Sequence, residues 1–214
     1  MVYLRRFMAK RPATDVFHDW ALVGKDEGME KGHAFAVNEM LDFIFKQAQD
    51  SPDKFSAIDV GCGNGWVVRL LKNHFACGYA EGIDGAAAMI EKAEKIDPEG
   101  NYSQRTLPEF KPSRKYDFLH SMEFLYYLED PQNMLKLFFD QWINSGGWAV
   151  IGIDHYLENE ESLTWPEHVG VNMTTLSIDQ WLEAWRNAGF ANIKHWRTGK
   201  KSSETLIIAG QKLT

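Results

Sequence analysis

Cysteine is scarce: Cys62 and Cys77 are the two in 214 residues, and they form no CxxC or Cys/His ligand spacing. A disulfide framework needs more of them, so the expected setting is a reducing one, the cytoplasm. The histidines are scattered, none at ligand spacing from another His or a Cys, and no metal site is expected. Long apolar runs are also missing. None reaches the roughly 18 residues of a membrane span, and no membrane partner is expected. The start, "MVYLRRFMAKRP", carries Arg5, Arg6, Lys10 and Arg11 but no continuous apolar segment of signal-peptide length, so it reads as a solvated terminus. Positive charge is in deficit, with 23 Lys and Arg against 30 Asp and Glu and a net charge of −7. The diffuse positive field of non-specific nucleic-acid binding is therefore absent, and nucleic acid is not an expected partner.

What the chain does contain is an alternation of short Val-, Ile-, Phe- and Tyr-rich runs with longer helix-period stretches, the pattern of βα units in a parallel sheet. Strands are predicted at 55–62, 79–84, 101–106, 116–122, 147–154, 192–198 and 205–211. Helices are predicted at 66–75, 86–95, 131–143 and 178–188. Asp130 before Pro131 marks one helix start, while Ser177 and Gly189 bracket another. The last two strands are separated only by "GKKSS" and should pair as a hairpin. The expected fold is α/β: a three-layer, mainly parallel sheet with one antiparallel C-terminal strand and helices on both faces. The length suits a single domain over 1–214. Within it, 1–50 reads as a helical lid whose apolar face carries Phe35, Val37, Met40, Leu41, Ile44 and Phe45, 55–214 as the core, and about 154–177 as a cap loop.

The stretch "AIDVGCGNGW" (57–66) runs from a strand through glycines into a helix, which places backbone N–H groups beside a ligand at the carboxyl edge of the sheet. Dinucleotide-binding loops read G-x-G-x-x-G; here Trp66 stands where the last glycine belongs. Asp59, two residues before Gly61, would repel a pyrophosphate. A ligand with an ammonium and no phosphate fits better, which counts against a nicotinamide-dependent reductase.

"IDVGCGNG" resembles the first motif of class I S-adenosylmethionine-dependent methyltransferases, a Rossmann-like family, here of the small-molecule type. "GIDGAAAMIEKA" is similar to the family's second strand and helix, and "YDFLHSMEFLYYLEDP" to its fourth strand and following loop. "GGWAVIGI" and "LSIDQWLEAWRNAGFANI" resemble its fifth strand and C-terminal part, so the likeness covers roughly 55–211. It implies S-adenosyl-L-methionine as cofactor, in a cleft made by Asp59, Gly61, Cys62, Gly63, Asp84, Gly85 and the Ser121–Met122 backbone, with Asp84 accepting from both ribose hydroxyls. The family often has an acidic residue beside the adenine; "SQRTLPEF" has none, which moves that contact to Thr106 and Leu107. Gly85-Ala86 replaces a frequent Ser-Pro.

The acceptor should sit beyond the carboxyl ends of the fourth and fifth strands, where ligands of open α/β sheets bind. No Lys or Arg occurs between Lys136 and Arg186, whereas Asp154, Glu158, Glu160, Glu161 and Glu167 cluster there. An anionic acceptor would meet repulsion; aromatic faces beside carboxylates suit an amine. Glu123 and His155 are the candidate catalytic groups, the first as substrate contact or proton acceptor and the second because imidazole titrates near neutrality. Tyr126, Tyr127, Tyr156 and Trp165 are candidate substrate contacts, with Trp20 and His33 as a roof from the N-terminal helices; His120 reads as a satisfied core histidine. The expected activity is methyl transfer to a small molecule, preferentially an amine. The alternatives are a non-catalytic binding or regulatory module of the same fold, and a methyltransferase acting on protein or on RNA, for which Lys194, Arg197, Lys200 and Lys201 would be the basic patch.

Overall fold

The computed structural model describes residues 10–49, 53–200 and 203–213; Arg5, Arg6 and Lys201 of the two basic clusters lie outside them. The chain runs α1 (Ala13–Leu22), α2 (Asp26–Ala48), β1 (Phe55–Val60), α3 (Trp66–Lys72), β2 (Cys77–Asp84), α4 (Ala87–Ile96), β3 (Asn101–Gln104), β4 (Tyr116–Met122), α5 (Pro131–Leu137), β5 (Ile143–Ile153), α6 (Ile178–Ala188), β6 (Ala191–Lys200) and β7 (Ser203–Gln211). Seven strands form one sheet in the order β3-β2-β1-β4-β5-β7-β6. Strands β1 to β5 pair in parallel, and β7 lies antiparallel between β5 and β6, as the short connection between the last two strands requires.

Side chains alternate across the sheet with period two, and both faces are apolar because both are covered. Ile58, Leu119, Ile151 and Ile208 face Leu135 of α5 and Trp181 and Trp185 of α6. Their neighbours Ala57, Phe118, Val150 and Ile207 face Val37, Met40 and Ile44 of α2 and Val68 and Leu71 of α3. Each of these fully buried aliphatic side chains contributes roughly 1.5–3 kcal/mol. The strand order reverses between β1 and β4, and their carboxyl ends open the crevice that holds the site.

Helix ends follow their sequence signals. Asp130 accepts from Asn133 N (2.9 Å), and Ser177 with Gln180 forms a capping box that α6 closes at Gly189, φ +108°. Several boundaries differ from expectation. The helix predicted over 131–143 is α-helical only to Leu137; Phe138–Trp142 widens to a π turn that buries both Phe138 and Trp142, and β5 then starts at Ile143. Phe35 is 63 % exposed and off the buried face, which runs through Val37, Met40, Leu41 and Ile44. The 154–177 connection is packed rather than open: Thr174 N donates to Tyr126 O (2.7 Å), Leu157 N to Leu176 O (3.0 Å), and Arg11 N to Gly170 O (2.9 Å). Among the described residues, no helix is long and apolar enough to cross a membrane.

Candidate functional site

Where β1 ends, Gly61 N and Cys62 N both donate to Ile83 O (2.9 and 3.0 Å), pinning the glycine loop to β2. Gly61 has φ +76°, and a Cβ there would stand 2.9 Å from that of Phe124, so this position takes glycine for both its dihedral and its close approach. Gly63 N donates to Asp84 Oδ2 (3.0 Å) and Ala86 N to Asp84 Oδ1 (2.8 Å). Each oxygen of Asp84 thus keeps a free lone pair on a cavity of about 320 Å³ beside it. Burial pushes the Asp84 carboxyl above its usual range, against the lowering effect of its backbone donors. The Cys62 thiol is pushed well up by burial and then by the charges of Asp84 and Asp59.

Asp59 lines the cavity at 2 % exposure, its Oδ1 held 2.7 Å from His120 Nδ1. The other nitrogen of His120 is buried without a partner, so this histidine is half satisfied rather than satisfied. The lid is tied to the loop: Asp26 at the start of α2 accepts from Asn64 Nδ2 (2.9 Å) and pairs with Lys92 (2.8 Å), while His18 Nδ1 of α1 accepts from Ala88 N (3.1 Å).

At the far end of the cavity Glu123 follows β4 with φ +59°, a left-handed conformation of a non-glycine residue that costs on the order of 1–3 kcal/mol. Its Oε1 accepts from Asp154 N (2.6 Å) and its Oε2 from Tyr126 OH (2.5 Å). Burial, and then the charge of Asp154, raise the Glu123 carboxyl well above its ordinary value. His33 Nε2 of α2 stands 3.4 Å from Asp154 Oδ2. The ligating atoms of His33, Glu123 and Asp154 all lie within 4.8 Å of one another, a donor set of one imidazole and two carboxylates. Its partners come from α2, the end of β4 and the end of β5, so no local spacing reveals it.

Of the sequence-predicted residues, Asp59, Gly61, Cys62, Gly63, Asp84, Gly85, Thr106, Leu107, Met122, Glu123, Tyr127 and His33 converge on this one cavity. Six others do not reach it. Ser121 is fully buried and donates to Val60 O (2.7 Å). His155, fully buried, has Nδ1 on Ser162 O (3.0 Å) and Nε2 on Thr175 Oγ1 (2.7 Å), and burial lowers its proton affinity. It is a packing group of the 154–177 connection, which corrects its reading as a base. Tyr126 is buried behind Glu123, and Tyr156 donates to Glu204 O (2.9 Å), both away from the cavity wall. Trp165 lies off the wall within the same connection, and Trp20 packs edge-on to Phe17 (5.3 Å) under Lys25 (5.2 Å). Phe17 takes the place expected of Trp20 on the wall. Phe124, Arg105, Asp26 and Glu30 also line it and were missed. The α2 pair was legible in principle, since Asp26, Glu30 and His33 recur at helical spacing on one side.

The arrangement suits a ligand with a diol at Asp84 and an ammonium near Asp59, because no basic side chain of the glycine loop awaits a phosphate. A model of the methyltransferase domain family matches residues 31–195. Trans-aconitate 2-methyltransferase of Agrobacterium fabrum is 28% identical over 131 residues, 61% of this chain and 48% of that protein. Malonyl-[acyl-carrier protein] O-methyltransferase 2 of Ilyobacter polytropus is 24% identical over 137 residues, 61% of this chain and 52% of that one. The chain therefore spans about half the length of the curated relatives it matches. Among solved structures, the putative methyltransferase in complex with the Haloferax volcanii Trm112 methyltransferase activator superposes with a TM-score of 0.73 at 24% identity, covering 92% of this chain and 98% of that one. The glycine loop on the carboxyl edge of a 3-2-1-4-5-7-6 sheet and the family match over most of the chain lead to one conclusion: the chain belongs to the methyltransferase domain family.

Proposed function

We propose that the chain is an S-adenosylmethionine-dependent methyltransferase, that the cofactor's ribose hydroxyls bind Asp84, that its methionine ammonium lies toward Asp59 and the Gly61–Gly63 backbone, and that the acceptor is a small amine held beside Glu123. The observation that carries the acceptor class is the charge of the wall. Asp59, Asp84, Glu123 and Glu30 face the cavity with Asp26, already paired to Lys92, and the basic side chain on the wall is the exposed Arg105. The two relatives named above are named for trans-aconitate and for malonyl-[acyl-carrier protein]. An anion in this cavity would meet like charge, whereas an amine would not.

When bound, the cofactor supplies an electrophilic methyl group on a positively charged sulfur. The chain has to align the acceptor for in-line displacement and keep water out. Phe17, Phe124 and Tyr127 form an apolar collar on the wall, with Phe17 and Tyr127 in edge contact at 5.1 Å. Ties from α1 and α2 to the glycine loop and α4 hold the roof over the cavity. Held beside Glu123, the acceptor nitrogen would point its lone pair at that methyl group, and the proton it loses would leave to solvent when the product departs. Incubation with S-adenosylmethionine and matched panels of primary amines and carboxylic acids, read by mass spectrometry of product and S-adenosylhomocysteine, tests the reading. Methylated amines are the expected product; methyl esters alone would overturn it.

A further inference from the structure

We propose that His33, Glu123 and Asp154 form a divalent-cation site in the wall at the acceptor end of the cavity, taking a borderline ion such as Mn²⁺ or Zn²⁺. The inference rests on the reading that the acceptor lies beside Glu123, and it narrows that acceptor's chemistry.

Three observations support it independently of composition. The donor set is one imidazole and two carboxylates, which suits borderline ions better than Mg²⁺ or Ca²⁺. The ligating atoms lie within 4.8 Å of one another, and His33 Nε2 and Asp154 Oδ2 stand 3.4 Å apart. Donors about 2.1 Å from an ion in neighbouring positions are about 3 Å apart. That pair is close to the required spacing, and the widest pair has at most about 1.8 Å to close. The third observation is Asp154 itself: the residue is 7 % exposed and its Oδ1 is buried with no hydrogen-bond partner. A buried carboxylate oxygen left bare beside a second carboxylate is costly unless a cation, or a proton shared with that carboxylate, completes it. Among the described residues no Lys or Arg side chain forms an ion pair with Glu123 or Asp154. Glu123 is fastened from behind by Asp154 N and Tyr126 OH, which orient its carboxylate as outer partners orient metal ligands.

Asp154 does not reach the cavity wall, whereas His33 and Glu123 do. A ligand touching all three is therefore the size of a single ion, and its open coordination positions would face the acceptor. An amine with a neighbouring neutral oxygen donor, such as an amino alcohol, would be held through that oxygen. The positive ion beside it would disfavour the ammonium form and leave the nitrogen lone pair free to react. Since His33 belongs to the lid helix, the ion would also clamp α2 onto the ends of β4 and β5.

The test is calorimetric titration of EDTA-treated protein with Mn²⁺, Zn²⁺ and Ca²⁺, with Mn²⁺ uptake followed in parallel by electron paramagnetic resonance. One Mn²⁺ or Zn²⁺ per chain is expected, with Ca²⁺ at least tenfold weaker. Asp154→Asn and His33→Gln should each weaken the ion at least tenfold while S-adenosylhomocysteine affinity stays within twofold, showing an intact fold. If either variant loses that affinity, the near-isosteric Glu123→Gln takes its place. A wild-type protein that takes up neither ion at millimolar concentration, or folded variants that bind it as well as wild type, would overturn the site. Ion binding is read without turnover, so a protein that binds Mn²⁺ but methylates no amine counts against the acceptor reading alone.

Discussion

Replacing Asp84 with alanine removes a carboxylate whose two oxygens each hold one backbone N–H and keep one lone pair for the ligand. Hydrogen bonds to a charged group contribute about 1.5–3 kcal/mol each. Removing both ribose hydrogen bonds at once would reach about 3–6 kcal/mol, but Gly63 lines the cavity, where its released N–H can rehydrate, and a ribose hydroxyl can bond a replacing water. A net loss of about 2–4 kcal/mol is expected, or roughly 30- to 1,000-fold in cofactor affinity. Calorimetry with S-adenosylhomocysteine measures it, with far-ultraviolet circular dichroism confirming the fold. The pH dependence follows from the direction of the shift. Burial raises the folded carboxyl above its ordinary value, so free protein takes up a proton at Asp84 at a higher pH than an exposed aspartate would. Affinity should therefore fall as pH falls through that raised value, and Asp84→Ala should lose this dependence. Affinity within threefold of wild type would refute the assignment of Asp84 to the ribose.

Gly61→Ala places a Cβ 2.9 Å from that of Phe124 at φ +76°, so it should cost about 1–3 kcal/mol in urea unfolding and weaken cofactor binding; unchanged stability would contradict the close approach. His155→Gln should lower stability while leaving cofactor affinity unaltered, because both ring nitrogens serve the 154–177 connection; a loss of affinity at unchanged stability would restore it to the site. Trp181→Ala, at a fully buried position in the α6 face of the core, should cost about 3–5 kcal/mol by denaturant midpoint, and a cost under about 1 kcal/mol would mean the packing is wrong. Alkylation of the folded protein should modify Cys77 faster than Cys62, whose buried thiol is held protonated by its own burial and by Asp84 and Asp59; the reverse order would put the loop in solvent.

Local chemistry made the scaffold legible. Strand and helix periods, the caps at Asp130 and Ser177, and the glycine loop after Asp59 depend on residues close in sequence, and most elements fall within a turn of where their pattern put them. Boundaries slipped where packing overrode propensity, as at Phe138–Trp142, where burying two aromatic rings widened the helix. The meeting of Gly61, Gly63 and Asp84 on one cavity was readable for the same reason, since they lie on two adjacent βα turns.

The acceptor end was not. Sequence position brought His155, Tyr126 and Tyr156 to the ends of β4 and β5, but their burial is a matter of which way each side chain turns, and all three turned into the protein. Phe17 in place of Trp20 depends on how α1 rotates over the crevice, and the meeting of His33, Glu123 and Asp154 depends on where α2 docks on the sheet. The sequence by itself determined the fold and the glycine loop, because periodicity and turn chemistry are local properties, whereas the acids it clustered at Asp154, Glu158, Glu160, Glu161 and Glu167 do not line the cavity. Only the tertiary structure decided which acids and aromatics share a cavity, because residues far apart in the chain are brought together by packing and by no pattern along it.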